Sequence, residues 1–289
     1  MKPKLTILGC GYLGSALARK AIAKSWQVAA FTRNQKTAES LLSLGVDDVQ
    51  TGSLEDHGWH SCLDANQDFV VVCVGASSPD LKGYNQSYLE GLKSVKKWIT
   101  GTTSTASVIF TSSTSVYPQA DGGIVDEKST HDGASPRAQI LLEAEKECLS
   151  LNVDKRKAFV LRLAGLYGPG RHLLVDKIRR SEKMKGKSNR ILNLIHRDDA
   201  VEAVITVLEN ALRLQSTIYN VSDDEWATRG ESVEWLSSTL KLPNPQFDES
   251  EHPGSPNRKV SSRLLRSESD WRPRYYSFQK AYQEMLASA

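Results

Sequence analysis

Residues 4–14 read KLTILGCGYLG, a short apolar run that breaks into Gly9-Cys10-Gly11-Tyr12-Leu13-Gly14 and continues as SALARKAIA. The run has strand character and the continuation has helix character, so the glycines sit on a strand-to-helix turn. In a G-x-G-x-x-G turn the first glycine permits the tight bend and the second lets backbone approach a pyrophosphate. The third lets the helix sit close on the strand. The helix N-terminus then presents unpaired N–H groups and a partial positive charge. Gly9, Gly11, Tyr12, Leu13 and Gly14 are therefore expected to line a dinucleotide site; a merely structural tight turn is the competing reading.

Outward from this turn, β-rich runs alternate with helical patterns. QVAAF precedes a helix near Lys36 to Leu44, and DFVVVCV precedes one near Tyr84 to Ile99. SVIFT, a long polar loop, a helix from about Pro136 to Leu151 and the strand AFVLRL come next. Such alternation predicts a parallel sheet with helices on both faces, and the unbroken run DFVVVCV reads as a strand buried on both sides. Tyr88, Leu92, Val95 and Ile99 make one apolar stripe. Val201, Val204, Ile205, Leu208 and Leu212 repeat it on a helix that Asp198 or Asp199 can cap. After TIYNV the composition shifts to Pro, Ser and charge, with PNPQFDESEHPGSPNRK the clearest flexible stretch. Short helices around Trp235 and from about Ser277 close the chain.

With 289 residues and a net charge of +3, the chain can bury a full core and offers no electrostatic case for nucleic acid. No segment reads as a signal peptide or membrane span, which predicts a cytoplasmic protein without a membrane partner. The four cysteines lack C-x-x-C spacing and are expected as reduced thiols.

The end of the second strand, AAFTRNQK, places Thr32 and Arg33 where a carboxylate would hold a ribose 2′-hydroxyl. A guanidinium grips a 2′-phosphate that a carboxylate would repel. NADP is the expected cofactor, with NAD left open. Val74, Gly75 and Ala76 end the third buried run on the same sheet edge, where ligands of open α/β sheets bind.

GCGYLG, VVVCVGAS, IFTSSTSVYP, VLRLAGLYGPGR and NLIHRDDAVEAV, in this order and spacing, resemble the extended short-chain dehydrogenases/reductases of the NAD-dependent epimerase/dehydratase group. The resemblance implies an α/β Rossmann fold, a doubly wound parallel sheet, over residues 1–170 and 191–221. It also implies a small substrate-side lobe over 171–190 and 222–289. A bound nicotinamide cofactor and a small-molecule substrate, often a nucleotide sugar, are implied too, and homodimers are frequent in the group. Ser112 falls on the cofactor side and Ser113 matches the catalytic hydroxyl. The family's tyrosine and lysine do not match: in SPRAQILLEAE, Arg137 and Leu141 stand at their places, while Ser135, Pro136 and Glu145 are retained. Ser53 likewise replaces an acid of the family's adenine contact. Tyr117 is read as a packing residue at the cleft wall, because Pro118 and the glycines after it oppose a helix that could align a lysine.

The expected reading is thus an oxidoreductase or epimerase lacking the usual pair, with a non-catalytic dinucleotide sensor as the alternative. Arg137 and Arg171 are the candidate substrate contacts, each weighed against a solvated arginine. His196 is expected to orient backbone, and KIRRSEKMKGKSNR to form a solvated face or mobile lid. Tyr276 and Lys280 repeat the Y-x-x-x-K spacing by chance. His57, His60 and Cys62 lack the partners of a metal site, and none is expected.

Overall fold

The computed structural model describes residues 2–250 and 255–287; residues 251–254 of the Pro/Ser-rich stretch lie outside the described residues. Seven parallel strands form one sheet: β1 (Lys4–Leu8), β2 (Gln27–Thr32), β3 (Asp48–Thr51), β4 (Phe69–Val72), β5 (Ser107–Ser113), β6 (Ala158–Leu163) and β7 (Ile218–Val221). Their spatial order is β7-β6-β5-β4-β1-β2-β3. The chain starts in the middle, winds to one edge, then crosses to the other. The crevice between the carboxyl ends of β1 and β4 is the point where ligands of such sheets bind.

Both faces are covered, as the apolar run of β4 requires. Helix α1 (Tyr12–Ala23) packs Leu13, Leu17, Ala18 and Ala21 into one apolar cluster, with α2 (Gln35–Leu44) contributing Leu41. On the other face α3 (Gly91–Thr100) and α4 (Pro136–Leu149) bury Leu92, Val95, Trp98, Ile99, Leu141, Ala144 and Cys148. The stripe expected from Tyr88 to Ile99 is not one continuous α-helix. An α turn, Leu81–Tyr84, passes into a π-helical segment, Asn85–Glu90, before α3 begins. The wider π turn shifts the register and brings the Tyr84 and Tyr88 ring centres to 5.3 Å of each other.

A short helix, α5 (Leu173–Arg179), precedes α6 (Arg197–Glu209), which buries Val201, Val204, Ile205 and Leu208 as expected. Leu212 falls beyond the helix end and is 86% exposed. The cap of α6 is neither Asp198 nor Asp199 but His196, whose Nδ1 accepts the Asp198 N–H at 3.2 Å. After β7 come α7 (Arg229–Leu240), α8 (Arg263–Glu268) and α9 (Phe278–Ala287). A third apolar cluster joins Tyr167, Val175, Ile178 and Met184 to Val233, Leu236, Phe278 and Tyr282. The basic stretch is consequently anchored. Met184 is fully buried, its N–H donates to the Gln246 carbonyl, and its own carbonyl accepts from Asp248 N–H. Lys183, Lys185 and Lys187 flank it on the exposed side.

A buried polar chain ties the end of β5 to the C-terminal segments. Glu145 of α4 and Arg162 of β6, 3% and 2% exposed, pair through two guanidinium nitrogens, with Arg162 Nη2 2.7 Å from Glu145 Oε2. Ser112 donates to Glu145 at 2.6 Å. Arg162 Nη1 donates to the Tyr117 hydroxyl at 2.9 Å, which donates to Asn220 Oδ1 at 2.8 Å; Asn220 Nδ2 reaches the Ser261 carbonyl at 3.1 Å. Tyr117 is therefore a fully buried member of this chain rather than a residue of the cleft wall. Arg162→Met leaves the Glu145 carboxylate buried and unpaired, which should cost about 3–5 kcal/mol. Urea unfolding should show a lower midpoint with unchanged slope, and the Glu145→Leu/Arg162→Met double variant should cost less than the two single changes summed.

Candidate dinucleotide and substrate site

The turn after β1 lies directly on the end of β4. Gly9 has φ +104°, and a Cβ there would stand 2.7 Å from Val74 N and 2.8 Å from Cys73 C. At Gly14 a Cβ would run into the Gly9 carbonyl, whereas at Gly11 it would meet nothing within 4 Å. Two glycines thus close the turn and the third faces open space. The Phe31 carbonyl holds the Gly9 and Cys10 N–H groups at 2.8 and 3.2 Å. Helix α1 begins with no side-chain cap and no acid in its first turn, so its leading N–H groups are available to an anion.

Beside this turn lies a cavity of about 190 Å³ lined by Gly9, Gly11, Thr32, Arg33, Val74 and Gly75. Asn34, Thr37, Leu54, Glu55 and Ser87 also line it. Arg33 Nη2 donates to the Gly75 carbonyl at 3.1 Å and so bridges the ends of β2 and β4. The residues fit a dinucleotide: a cradle that a Cβ would fill, an uncapped helix start, and a cation at the end of β2. Glu55 was not legible as a site residue. It lies two positions past Ser53 and reaches the cavity because the turn after β3 carries it there.

The other expected residues divide among separate places. Leu13 is 6% exposed and packs in the core, and the Ser112 hydroxyl turns inward to Glu145. The Tyr12 ring lies against two guanidinium groups, Arg171 at 5.4 Å and Arg197 at 5.2 Å. Arg171 therefore stands near the start of α1. Arg137 is exposed over the Tyr84 ring at 5.4 Å, and the two share a cavity of about 390 Å³ with Ala76, Ser77, Ser78 and Pro79. Leu141 is 3% exposed in the core. Tyr276 is 62% exposed, with Lys280 Nζ 4.7 Å from its ring centre, so that pair is a surface contact.

Ser113 opens onto a different cavity, about 380 Å³, which it lines with Thr114, Ser115, Asn193, Arg190, Arg229 and Arg258. Ser113 Oγ accepts the Ser115 N–H at 3.1 Å, which leaves its own proton to donate. Arg258 Nη2 donates to the Thr114 carbonyl at 2.7 Å. Burial first, and then the charge of Arg190, pushes the Arg258 pKa down to about 10. Neither Arg190 nor Arg258 stood out in the sequence, because both lie in stretches read as solvated or flexible.

All four cysteines are free thiols. Lys97 Nζ approaches His57 Nδ1 at 3.3 Å and His60 contacts Ser94 at 3.0 Å, an arrangement unlike a metal site. Among the described residues no group of three His, Cys, Asp or Glu could hold a metal ion, and no helix is long and apolar enough to cross a membrane.

Comparison with known proteins agrees with this architecture. The model of the NAD dependent epimerase/dehydratase family matches residues 5–222. Protein YeeZ of Escherichia coli strain K12 is 28% identical over 253 residues, covering 84% of this chain and 86% of that protein. A structure from Methylobacillus flagellatus, provisionally named as an NAD-dependent epimerase/dehydratase, superposes with TM-score 0.81 at 26% identity, covering 100% of this chain and 99% of its own. MoeE5 in complex with UDP-glucose and NAD superposes with TM-score 0.80 at 19% identity, covering 96% and 95%. The chain belongs to the NAD-dependent epimerase/dehydratase family.

His196 behaves as expected of a residue that orients backbone, and burial pushes its pKa down to about 4. The unfolded chain binds a proton near the ordinary value of about 6.5, so between these values it holds more protons than the folded chain. This contribution to stability is complete above about pH 6.5 and is lost as pH falls toward 4. His196→Asn keeps a capping acceptor and should flatten that fall, measured by urea unfolding at pH 7 and pH 4.5.

Proposed function

We propose that this family member is an NADP-dependent oxidoreductase or epimerase acting on a small molecule whose reacting oxygen lies beside Ser113. The observation that carries the cofactor assignment is Arg33, poised between the ends of β2 and β4 on the cavity wall. Glu55 on the same wall adds one carboxylate, but it follows β3, so the end of β2 itself presents only the cation. On this reading the backbone of Gly9 to Gly14 holds the pyrophosphate, and Arg33 with Thr32 holds the 2′-phosphate. The nicotinamide, when bound, supplies hydride chemistry. Ser113 orients a substrate oxygen by donating its free proton. Residues 171–190 and 222–289 are read as the substrate-side lobe. Nucleotide sugars, such as the UDP-glucose bound by MoeE5, form the first panel to test.

Leu141 supports a second reading. A buried leucine where the family places its lysine supplies no charge to tune a phenol, and losing a positioned acid costs about 10² to 10⁴ in rate while leaving cofactor binding intact. A dinucleotide-binding sensor would keep the first cavity and dispense with turnover.

Calorimetric titration should show NADPH binding more tightly than NADH, by roughly ten- to a hundredfold for one charged contact to phosphate. Arg33→Glu should reverse the order. Equal affinities in the unaltered protein would remove the argument from Arg33. Where a screen of nicotinamide absorbance against sugar nucleotides and carbonyl compounds gives turnover, Ser113→Ala should reduce it by about 10² or more with little change in NADPH affinity.

A further inference from the structure

We infer that the cavity at the amino edge of the sheet, at the end opposite the dinucleotide turn, is a second nucleotide site that takes a nucleoside triphosphate. This cavity, about 710 Å³, runs along the starts of four adjacent strands: Lys157 precedes β6, Ser107 begins β5, Phe69 begins β4, and Lys2 and Pro3 precede β1. Neighbouring strands lie about 4.8 Å apart, so the row spans roughly 14 Å. Leu212 and Arg213, just past the end of α6, line one side. The volume falls within the roughly 300–1,000 Å³ of small-molecule sites. No lining residue is shared with the dinucleotide cavity.

Lys2, Lys155, Lys157 and Arg213 face the cavity, and none of them forms an ion pair with a carboxylate among the described residues. The two carboxylates of the lining are engaged elsewhere: Asp68 Oδ2 accepts the Lys4 N–H at 2.8 Å, and Glu209 pairs with Lys24 at 2.9 Å. In a chain whose net charge is only +3, four such cations in one cavity make a local excess that an anion of several charges relieves. A triphosphate supplies a run of negative charge that three lysines and an arginine can share. The turn that carries two of the lysines is pinned. Val153 and Arg156 bridge across it, and Arg156, itself buried, donates from Nη2 and Nε to the Ser104 carbonyl at 2.7 and 3.2 Å. Much of the remaining wall is apolar. The half-buried Phe69 ring is backed by Trp26 at 5.0 Å, and Leu208 and the exposed Leu212 extend the surface. A base stacks on an aromatic face whatever its identity, and Thr105 and Ser107 offer hydroxyls to a ribose. Cations beside an apolar wall select a nucleotide over a bare phosphate chain.

The test is calorimetric titration of the whole chain, in saturating NADPH and magnesium-free buffer, with ATP, inorganic tripolyphosphate and adenosine. One ATP per chain is expected, with tripolyphosphate about tenfold weaker and adenosine weaker still. The Lys155→Gln/Lys157→Gln double variant, altered on a surface turn, should weaken ATP about tenfold and leave NADPH affinity unchanged. Leu212→Asp sets a carboxylate beside the cavity without loss of core packing and should also weaken ATP. Absence of ATP binding, ATP affinity untouched by both variants, or tripolyphosphate binding as tightly as ATP overturns the inference. So does ATP binding that disappears once NADPH is saturating, because the first cavity then accounts for it. Where NADPH does not bind, Arg33→Glu takes its place as the control: ATP affinity kept in that variant and weakened in the lysine variant supports the second site, and the reverse overturns it.

Discussion

The contact on which the rest depends is that of Gly9 with the backbone of Cys73 and Val74. No side chain fits between them: a Cβ on Gly9 would stand within 2.8 Å of three backbone atoms. Because β1 and β4 are neighbours in the sheet, this contact brings the first turn and the end of β4 into one wall at the crossover point. Gly11, the N-cap of α1, faces open space and has no side chain to cap the helix. A dinucleotide site here follows from strand order and steric exclusion, before any charged residue is considered.

The second organising feature is polar and lies on the other half of the sheet. Glu145, Arg162, Tyr117 and Asn220 form a chain that is almost wholly buried, running from the strand that ends at Ser113 to the backbone of Ser261. Buried ion pairs contribute little net stability against an apolar alternative, but removing one partner is expensive. Such a chain therefore fixes relative position more than it adds free energy. Here it sets the end of β5 against the segment carrying Arg258, and that is the spacing of the cavity beside Ser113.

What the sequence made legible follows the range of the interactions. The strand runs, the G-x-G-x-x-G turn and the main helices rest on local periodicity and turn chemistry, and they appear as expected. Leu212 and the cap of α6 were misread because propensity does not see where a helix stops or that a histidine ring turns back to accept an N–H. The π segment was invisible because Tyr88 to Ile99 satisfies an α stripe as well as it satisfies the true register. Arg190 and Arg258 were missed for a different reason. Each sits in a polar stretch with no helical or strand period, and only the reciprocal bonds of Asn193 and Asn257, between segments over sixty positions apart, make them a pair.

The face of α4 has its own physical setting. Helix α4 is capped by Ser135 and buries Glu145, and its Leu141 packs in the apolar cluster on that face of the sheet. A lysine at position 141 would bury an ammonium in that apolar cluster, at a desolvation cost that Leu141 does not bear. Positive charge near Ser113 comes instead from across the cleft, out of the C-terminal segments. An arginine does not serve as a proton donor near neutral pH, whereas it stabilises negative charge on oxygen well in a site of restricted water. On the proposed reading, the cavity beside Ser113 offers electrostatic stabilisation of negative charge rather than a proton donor. Chemistry of that kind suits substrates that bring their own charge, and it asks less of α4 than of the clamp that keeps Arg190 and Arg258 together.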